Sequence, residues 1–256
     1  MNTIIFKHIV YSYIFIALCA TAMAFQIDLL INIKHIKIEY YGFIFSATLF
    51  SYHIYYLKSI QNKWHIIYAI ISSICAAFFL FKLNIQSLPT LVQIVLLSSS
   101  YIFISVFNLK NKWLSIYKLF ALSTVWFLTT TILPLKNLQS IYEYPLFFIH
   151  QFVFIFLLCF HFYIRDEVNE ELKSMYTLGV IIANVILIIL SFFLCILMPG
   201  WLFVNILFLM LSIYIYKKKP VNLFYLIFVD GLLLLQPILV IVLQLLINDN
   251  FVNFQR

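Results

Sequence analysis

The sequence predicts an all-α integral membrane protein with about nine transmembrane helices. Three observations predict this class: 65% of the 256 residues are hydrophobic, 10% are charged, and the mean hydropathy is +1.06. Because soluble domains carry about 25% charged residues, this composition excludes an ordinary soluble domain. The apolar runs are continuous, which indicates helices, since a helix in lipid satisfies its own backbone polar groups.

Each predicted helix is an apolar run long enough for a bilayer core, which requires roughly 20 residues. Helices 1–4 cover about 9–108 and helices 5–9 cover about 113–247 of a single transmembrane domain, 1–256. The first run also resembles a signal peptide, because Ala22-Met23-Ala24 is a small-residue cleavage pattern. We favour a retained helix, because this run continues to Ile31. The predicted spans are about 9–31, 40–57, 65–81, 88–108, 113–134, 144–164, 175–198, 200–216 and 221–247.

Lys and Arg residues predict the orientation of these spans. With nine spans, the N-terminal side holds 11 of the 16 basic residues, which places it in the cytoplasm and the C-terminus outside the inner (plasma) membrane. The basic residues are scattered, so the formal charge of +7 does not indicate a nucleic-acid partner, whereas membrane lipids are expected partners. The predicted cytoplasmic residues are Lys7, Lys58, Lys63, Lys110, Lys112, Lys118, Arg165, Lys173, Lys217, Lys218 and Lys219. The predicted outer residues are Lys34, Lys37, Lys82, Lys136 and Arg256.

Four of the nine carboxylates cluster just beyond predicted helix 6, in the segment from Arg165 to Glu171. If that helix continues, Asp166 and Glu170 are four residues apart and share one face. Such a pair can hold a divalent cation through oxygen ligands, and Mg²⁺ bound in this way usually also binds substrate phosphates. The alternative is a solvated loop that ends a helix.

The residues around this cluster resemble the second aspartate-rich motif of the UbiA-type intramembrane prenyltransferase superfamily. Asp166 matches the middle acid of that motif, Glu170 matches the last acid conservatively, and Arg165 and Thr177 also fall in place. Tyr163 stands where the first aspartate belongs. The resemblance implies a UbiA-like helical bundle that transfers a prenyl chain from its diphosphate to a lipophilic acceptor.

The resemblance also implies roles for particular residues. Arg165, Asp166 and Glu170 would be catalytic, and the two acids would hold Mg²⁺, the implied cofactor. The proposed substrate-binding residues are His53, Tyr56, Lys58, Tyr163, Lys173 and Asp230.

The first aspartate-rich motif of the family, expected at the end of helix 2, is missing. No carboxylate lies between Glu39 and Glu143, and His53, Tyr55 and Tyr56 occupy the region where the family has Asn and Asp. Two metals bridged by two motifs would therefore not form in the usual way. Lysines such as Lys58 offer direct phosphate contacts instead. The metal site is therefore expected to be degenerate.

Two other interpretations remain open at this point. One is a catalytically inactive relative that binds a lipid or a protein partner. The other is an unrelated multi-pass transporter, in which Asp28 and Asp230 would be pathway residues, because ionisable groups at membrane depth usually face a cavity or a partner.

The other polar residues within the spans have a simpler interpretation. We expect them to form interhelical hydrogen bonds, and we expect tryptophans at span ends to be interfacial. The expected hydrogen bonders are His150, Gln151, Asn184 and Asn205, and the expected interfacial tryptophans are Trp64, Trp113 and Trp201.

Overall fold

The computed structural model describes nine stretches of the chain, and every regular element within them is helical. This confirms the all-α class, and the described residues contain no strand. The described residues are 13–32, 38–56, 63–83, 87–106, 112–135, 138–166, 170–194, 199–218 and 230–246. Backbone packing divides the chain into two compact units, Met1–Leu138 and Gln139–Arg256.

The first unit contains five long helices, two of which continue into a π-helix. They are α1 (Ile14–Ile27, then a π-helix at Asp28–Asn32), α2 (Ile38–Tyr56), α3 (Lys63–Leu80), α4 (Leu88–Val106) and α5 (Lys112–Phe127, then a π-helix at Leu128–Ile132). The second π-helix is closed by the amide of Leu133, which donates to the carbonyl of Leu128 at 2.8 Å. Pro134 follows directly and favours the end of the helix there, because proline lacks an amide hydrogen.

Helix α1 has more than half of its residues buried. It packs against α2 and against the second π-helix. Its small residues Ala20 and Ala24 join Tyr40, Ile44, Leu91 and Leu133 in one buried cluster. Helix α5 packs against α4 within the same unit.

The second unit contains one short helix and four long helices. They are α6 (Ser140–Glu143), α7 (Pro145–Asp166), α8 (Glu170–Leu194), α9 (Pro199–Lys218) and α10 (Asp230–Leu246). Pro145 and Pro199 begin α7 and α9, where a missing amide hydrogen has no cost. Consecutive long helices pack against each other from α7 to α10.

Large apolar side chains point outward along α3 and along α8, one helix in each unit. They recur at intervals of three and four residues, which places them on one face of each helix. In both units, buried positions include amide, hydroxyl and imidazole side chains. The outward row on α3 is Ile67, Ile70, Ile71, Ile74 and Phe78, and the row on α8 is Ile182, Val185, Ile186, Ile189 and Phe193, each more than 40% exposed.

One described helical stretch, Ile14–Ile31, is long and apolar enough to cross a bilayer. Its 18 residues have a mean hydropathy of 2.2, half of them are buried, and it lies near the N-terminus. Core helices of soluble proteins and signal sequences share these properties. Five other apolar stretches contain 10–17 described residues each. The predicted number of nine membrane spans therefore stays a prediction.

Candidate functional site

Helices α7 and α8 form an antiparallel hairpin. At one level, His150 of α7 lies beside Ser191 of α8, with Nε2 and Oγ 3.2 Å apart. At another, Gly179 of α8 faces Phe160 of α7, whose ring would lie 3.0 Å from a Cβ atom at position 179. The later residue of α7 thus meets the earlier residue of α8, so the chain reverses between Asp166 and Glu170.

Because the two helices run in opposite directions, the acidic pair does not share one face of a continuing helix, which was one of the two alternatives that the sequence left open. Asp166 is the last residue of α7, and Glu170 is the first residue of α8. The two acids therefore belong to different helices, and residues 167–169 between them lie outside the described residues. Arg165 and Tyr163 lie in the last turn of α7, and Lys173 lies in the first turn of α8. For these five residues, the structure describes the backbone and not the side chain.

Carboxylate oxygens are suitable ligands for Mg²⁺, and the hairpin brings the backbone of two acidic residues to one end of a helix pair. Within the described part of the chain, no group of three His, Cys, Asp or Glu side chains is placed to hold a metal ion. The chemical type of Asp166 and Glu170 thus fits a magnesium site.

The region of the missing first motif is a packed aromatic cluster. His53 is 1% exposed, and its ring stacks on Tyr68 with centroids 5.4 Å apart and planes at 15°. The ring of Tyr13 meets His53 edge-on at 5.6 Å. Tyr56 ends α2, where the structure describes its backbone, and Lys58 lies outside the described residues. The side chain of His53 is therefore enclosed between helices.

Asp28 and Asp230, the two acids considered as pathway residues, both belong to described helices. Asp28 begins the first π-helix, is 8% exposed, and accepts a hydrogen bond of 2.7 Å from the hydroxyl of Tyr41. Asp230 is the first residue of α10, described at the backbone. Tyr41 was not anticipated from the sequence, since one tyrosine among 17 gives no signal of its partner.

A second polar cluster is fully described, and it lies between α7, α8 and α9. The side-chain nitrogen of Asn205 lies 2.8 Å from Nε2 of His150 and also donates to the hydroxyl of Ser191. This confirms interhelical hydrogen bonds for His150 and Asn205. Asn184 instead donates to the carbonyl of Val180 in its own helix, at 2.9 Å.

Trp201, which was expected at a membrane interface, lies in the first turn of α9 with its ring buried between helices. The residue is 1% exposed, and its ring stacks on His150 with centroids 4.5 Å apart and planes at 18°. Its position at the end of an apolar run suggested an interface, whereas the helix packing buries it. Trp113, also at a helix end, is 76% exposed, and the side chain of Trp64 lies outside the described residues.

The aromatic and polar contacts between α7 and α9 follow one seam. Phe147 meets Trp201, His150 meets Asn205, and Phe154 meets Phe208 with centroids 5.6 Å apart. Nε2 of His161 lies 2.8 Å from the hydroxyl of Ser212, near the other end of the seam. Residue numbers rise together along both helices, so α7 and α9 run parallel, with α8 antiparallel to α7.

Comparisons with family models, with curated proteins and with solved structures give no match to this chain.

Proposed function

We propose that this chain is a multi-pass protein of the inner (plasma) membrane, with nine spans, a cytoplasmic N-terminus and an outer C-terminus. The rows of outward apolar side chains on α3 and α8 support this, because soluble monomers rarely expose apolar surface of this extent. The buried polar residues support it as well, since polar groups in membrane helices favour contact with neighbouring helices over contact with lipid.

The proposed ligand is a prenyl diphosphate, bound at the reversal between α7 and α8, and the proposed reaction is prenyl transfer to a lipophilic acceptor. The observation that carries this proposal is the hairpin, which places Asp166 and Glu170 at the facing ends of two packed helices. Arg165 and Lys173 flank the two acids in sequence. The resemblance to the UbiA-type superfamily supplies the substrate class.

The roles of these residues follow from the charge of the substrate. A diphosphate is strongly anionic, so cationic groups that contact it stabilise the charge of the leaving group. Arg165 suits this role because its planar guanidinium binds two phosphate oxygens at once, and Lys173 adds a point charge. Asp166 and Glu170 would hold Mg²⁺, which supplies further positive charge when bound.

A catalytically inactive relative is the second candidate, and the aromatic cluster around His53 favours it. Family members have their first aspartate-rich motif in that region, whereas His53 is enclosed by Tyr13 and Tyr68. An inactive relative would keep the helical fold and bind a lipophilic ligand or a protein partner, but it would not catalyse prenyl transfer.

A thermal-shift titration of the detergent-purified chain with geranyl, farnesyl and geranylgeranyl diphosphates, with and without Mg²⁺, tests the proposed ligand. We expect stabilisation that requires both the diphosphate and Mg²⁺ and that Asp166→Asn removes. Glu143→Gln is the matched control, because it neutralises an acid of another helix, and it should keep the shift. A folded wild-type protein that shows no shift would exclude this ligand.

Turnover distinguishes the two candidates. Incubation with a labelled prenyl diphosphate and a set of phenolic and alcohol acceptors should yield a prenylated product if the chain is a transferase. Binding without product would favour the inactive relative.

A further inference from the structure

The cluster between α7 and α9 contains two stacked rings that each carry a buried polar nitrogen without a partner. Nδ1 of His150 and Nε1 of Trp201 have no hydrogen-bond partner among the described residues. The side chains are 0% and 1% exposed, respectively, so solvent does not satisfy these atoms either. The ring centroids lie 4.5 Å apart and the planes are tilted by 18°, so the two nitrogens belong to adjacent, stacked rings.

The hydrogen bonds at the other edge of the imidazole determine which nitrogen carries its proton. The amide nitrogen of Asn205 donates to Nε2 of His150. The hydroxyl of Ser191 donates to the carbonyl of Leu187 at 2.6 Å, so its single hydrogen is already used. Nε2 is therefore an acceptor, and the neutral ring has its N–H at Nδ1. The indole Nε1 of Trp201 is a donor as well.

Two buried N–H donors on adjacent rings require an acceptor, because a buried donor without one costs free energy. The residues of this cluster carry no formal charge, and the surrounding side chains Phe147, Phe154 and Phe208 are apolar and buried. An anion would lose its hydration here without gaining a counter-charge. The matching ligand is therefore a neutral, lipophilic molecule with an oxygen acceptor that has lone pairs for two donors.

We propose that His150 and Trp201 bind the carbonyl oxygen of such a molecule, by hydrogen bonds from Nδ1–H and Nε1–H. A carbonyl oxygen has two lone pairs and can accept both bonds. The site is distinct from the acidic hairpin end, because His150 precedes Asp166 by 16 residues along α7, about 24 Å at 1.5 Å per residue. The proposal is therefore independent of diphosphate binding.

Two classes of lipophilic molecule carry such a carbonyl group. A quinone carries it on a flat ring, and a bilayer glycerolipid carries it in an ester. Decylubiquinone represents the first, dioctanoylglycerol the second, and decylbenzene provides a lipophilic control without an acceptor. Affinities are measured by thermal shift on the full chain in detergent. We expect one of the two carbonyl compounds to bind, and decylbenzene not to bind.

Trp201→Phe retains the stacked ring and removes one donor, so we expect roughly tenfold weaker binding of the carbonyl compound. Trp126→Phe is the matched control in the other unit, and its affinity should equal that of the wild type. Equal affinity of Trp201→Phe and wild type would overturn the proposal, as would binding of decylbenzene as tight as that of the carbonyl compounds.

If Trp201→Phe does not fold, a measurement on the wild-type protein tests the same hydrogen bonds. The infrared carbonyl stretch of the bound compound, labelled with ¹³C, should move to lower frequency than in detergent without protein. An unshifted stretch, or no binding of either carbonyl compound to folded wild-type protein, would overturn the proposal.

Discussion

The side-chain nitrogen of Asn205 lies 2.8 Å from Nε2 of His150, and this contact joins two parallel helices, α7 and α9. The same nitrogen donates to Ser191 of α8. One amide group thus connects three helices of the second unit. Since the donors and acceptors on all three helices are buried, the loss of this group leaves acceptors unsatisfied on two of them.

Asn205→Ala should lower the free energy of unfolding of the second unit by about 1–3 kcal/mol, the cost of leaving buried polar groups unsatisfied. Denaturant titration in detergent measures this change. Asn184→Ala is the control, because Asn184 donates within its own helix and its side-chain oxygen has no partner among the described residues. Its expected loss is about 1 kcal/mol or less. Equal losses for the two variants would contradict the three-helix connection.

Gly42→Ala should destabilise the contact between α2 and α3. A Cβ atom at position 42 would lie 2.5 Å from the ring of Phe79, so the ring or a helix must move, at a cost of about 1–3 kcal/mol. Thermal unfolding in detergent gives the change. Gly231→Ala is the matched variant, because nothing lies within 4 Å of its Cβ position. For Gly231→Ala we expect no loss of unfolding free energy, or a gain of up to about 1 kcal/mol, because alanine has a higher helix propensity than glycine. A neutral Gly42→Ala would show that the contact is looser.

Tyr41→Phe should destabilise the first unit, because it removes the hydroxyl that donates to the buried carboxyl group of Asp28. The expected loss is about 1–3 kcal/mol of unfolding free energy. Tyr117→Phe removes a hydroxyl whose bond to Ser100, at 2.7 Å, is exposed, so its loss should be smaller. Urea unfolding curves of both variants provide the comparison. A larger effect at Tyr117 would argue against a structural role of the Asp28 pair.

The proposed topology predicts from which side of the membrane a reagent can label a cysteine placed between two spans. In a background without native cysteines, Lys82→Cys and Lys136→Cys should react with an impermeant maleimide in intact cells. Lys110→Cys and Lys218→Cys should react after permeabilisation. The reversed pattern would invert the orientation, and labelling of all four sites in intact cells would exclude the nine-span arrangement.

The positions of the long helices could be predicted from the sequence, because most apolar runs are about as long as their helices. The described part of α10, Asp230–Leu246, covers only part of the run predicted at about 221–247. The run at about 144–164 matches α7 at Pro145–Asp166, and the run at 200–216 matches α9 at Pro199–Lys218. The two π-helices and the short helix Ser140–Glu143 were missed. A π-turn depends on packing around it, which an apolar pattern does not encode.

The prediction of interhelical hydrogen bonds is confirmed for His150 and Asn205. It was wrong for Asn184, which bonds within its own helix, and the side-chain amide of Gln151 has no partner among the described residues. His150 and Asn205 were expected to bond between helices, but the partner of each depends on how neighbouring helices are aligned. The hairpin supplies a signal that would have helped. His150 lies 20 residues before Glu170, and Ser191 lies 21 residues after it. In two antiparallel helices joined by a short connection, residues at equal distances from the connection face each other.

The π-helix at Leu128–Ile132 fits one more residue into a turn than an α-helix does, and this affects the helical phase of everything that follows. The residues from Thr130 to Leu135 are all buried, a run that a regular helix in contact on one side would not produce. If these five residues formed an α-helix instead, the backbone after them would be rotated by about 100°, because each residue turns an α-helix by that angle and the π-helix takes up one more residue. Leu133 would then leave its place beside Ala20 and Ala24. The π-turn therefore sets which of the following side chains face α1.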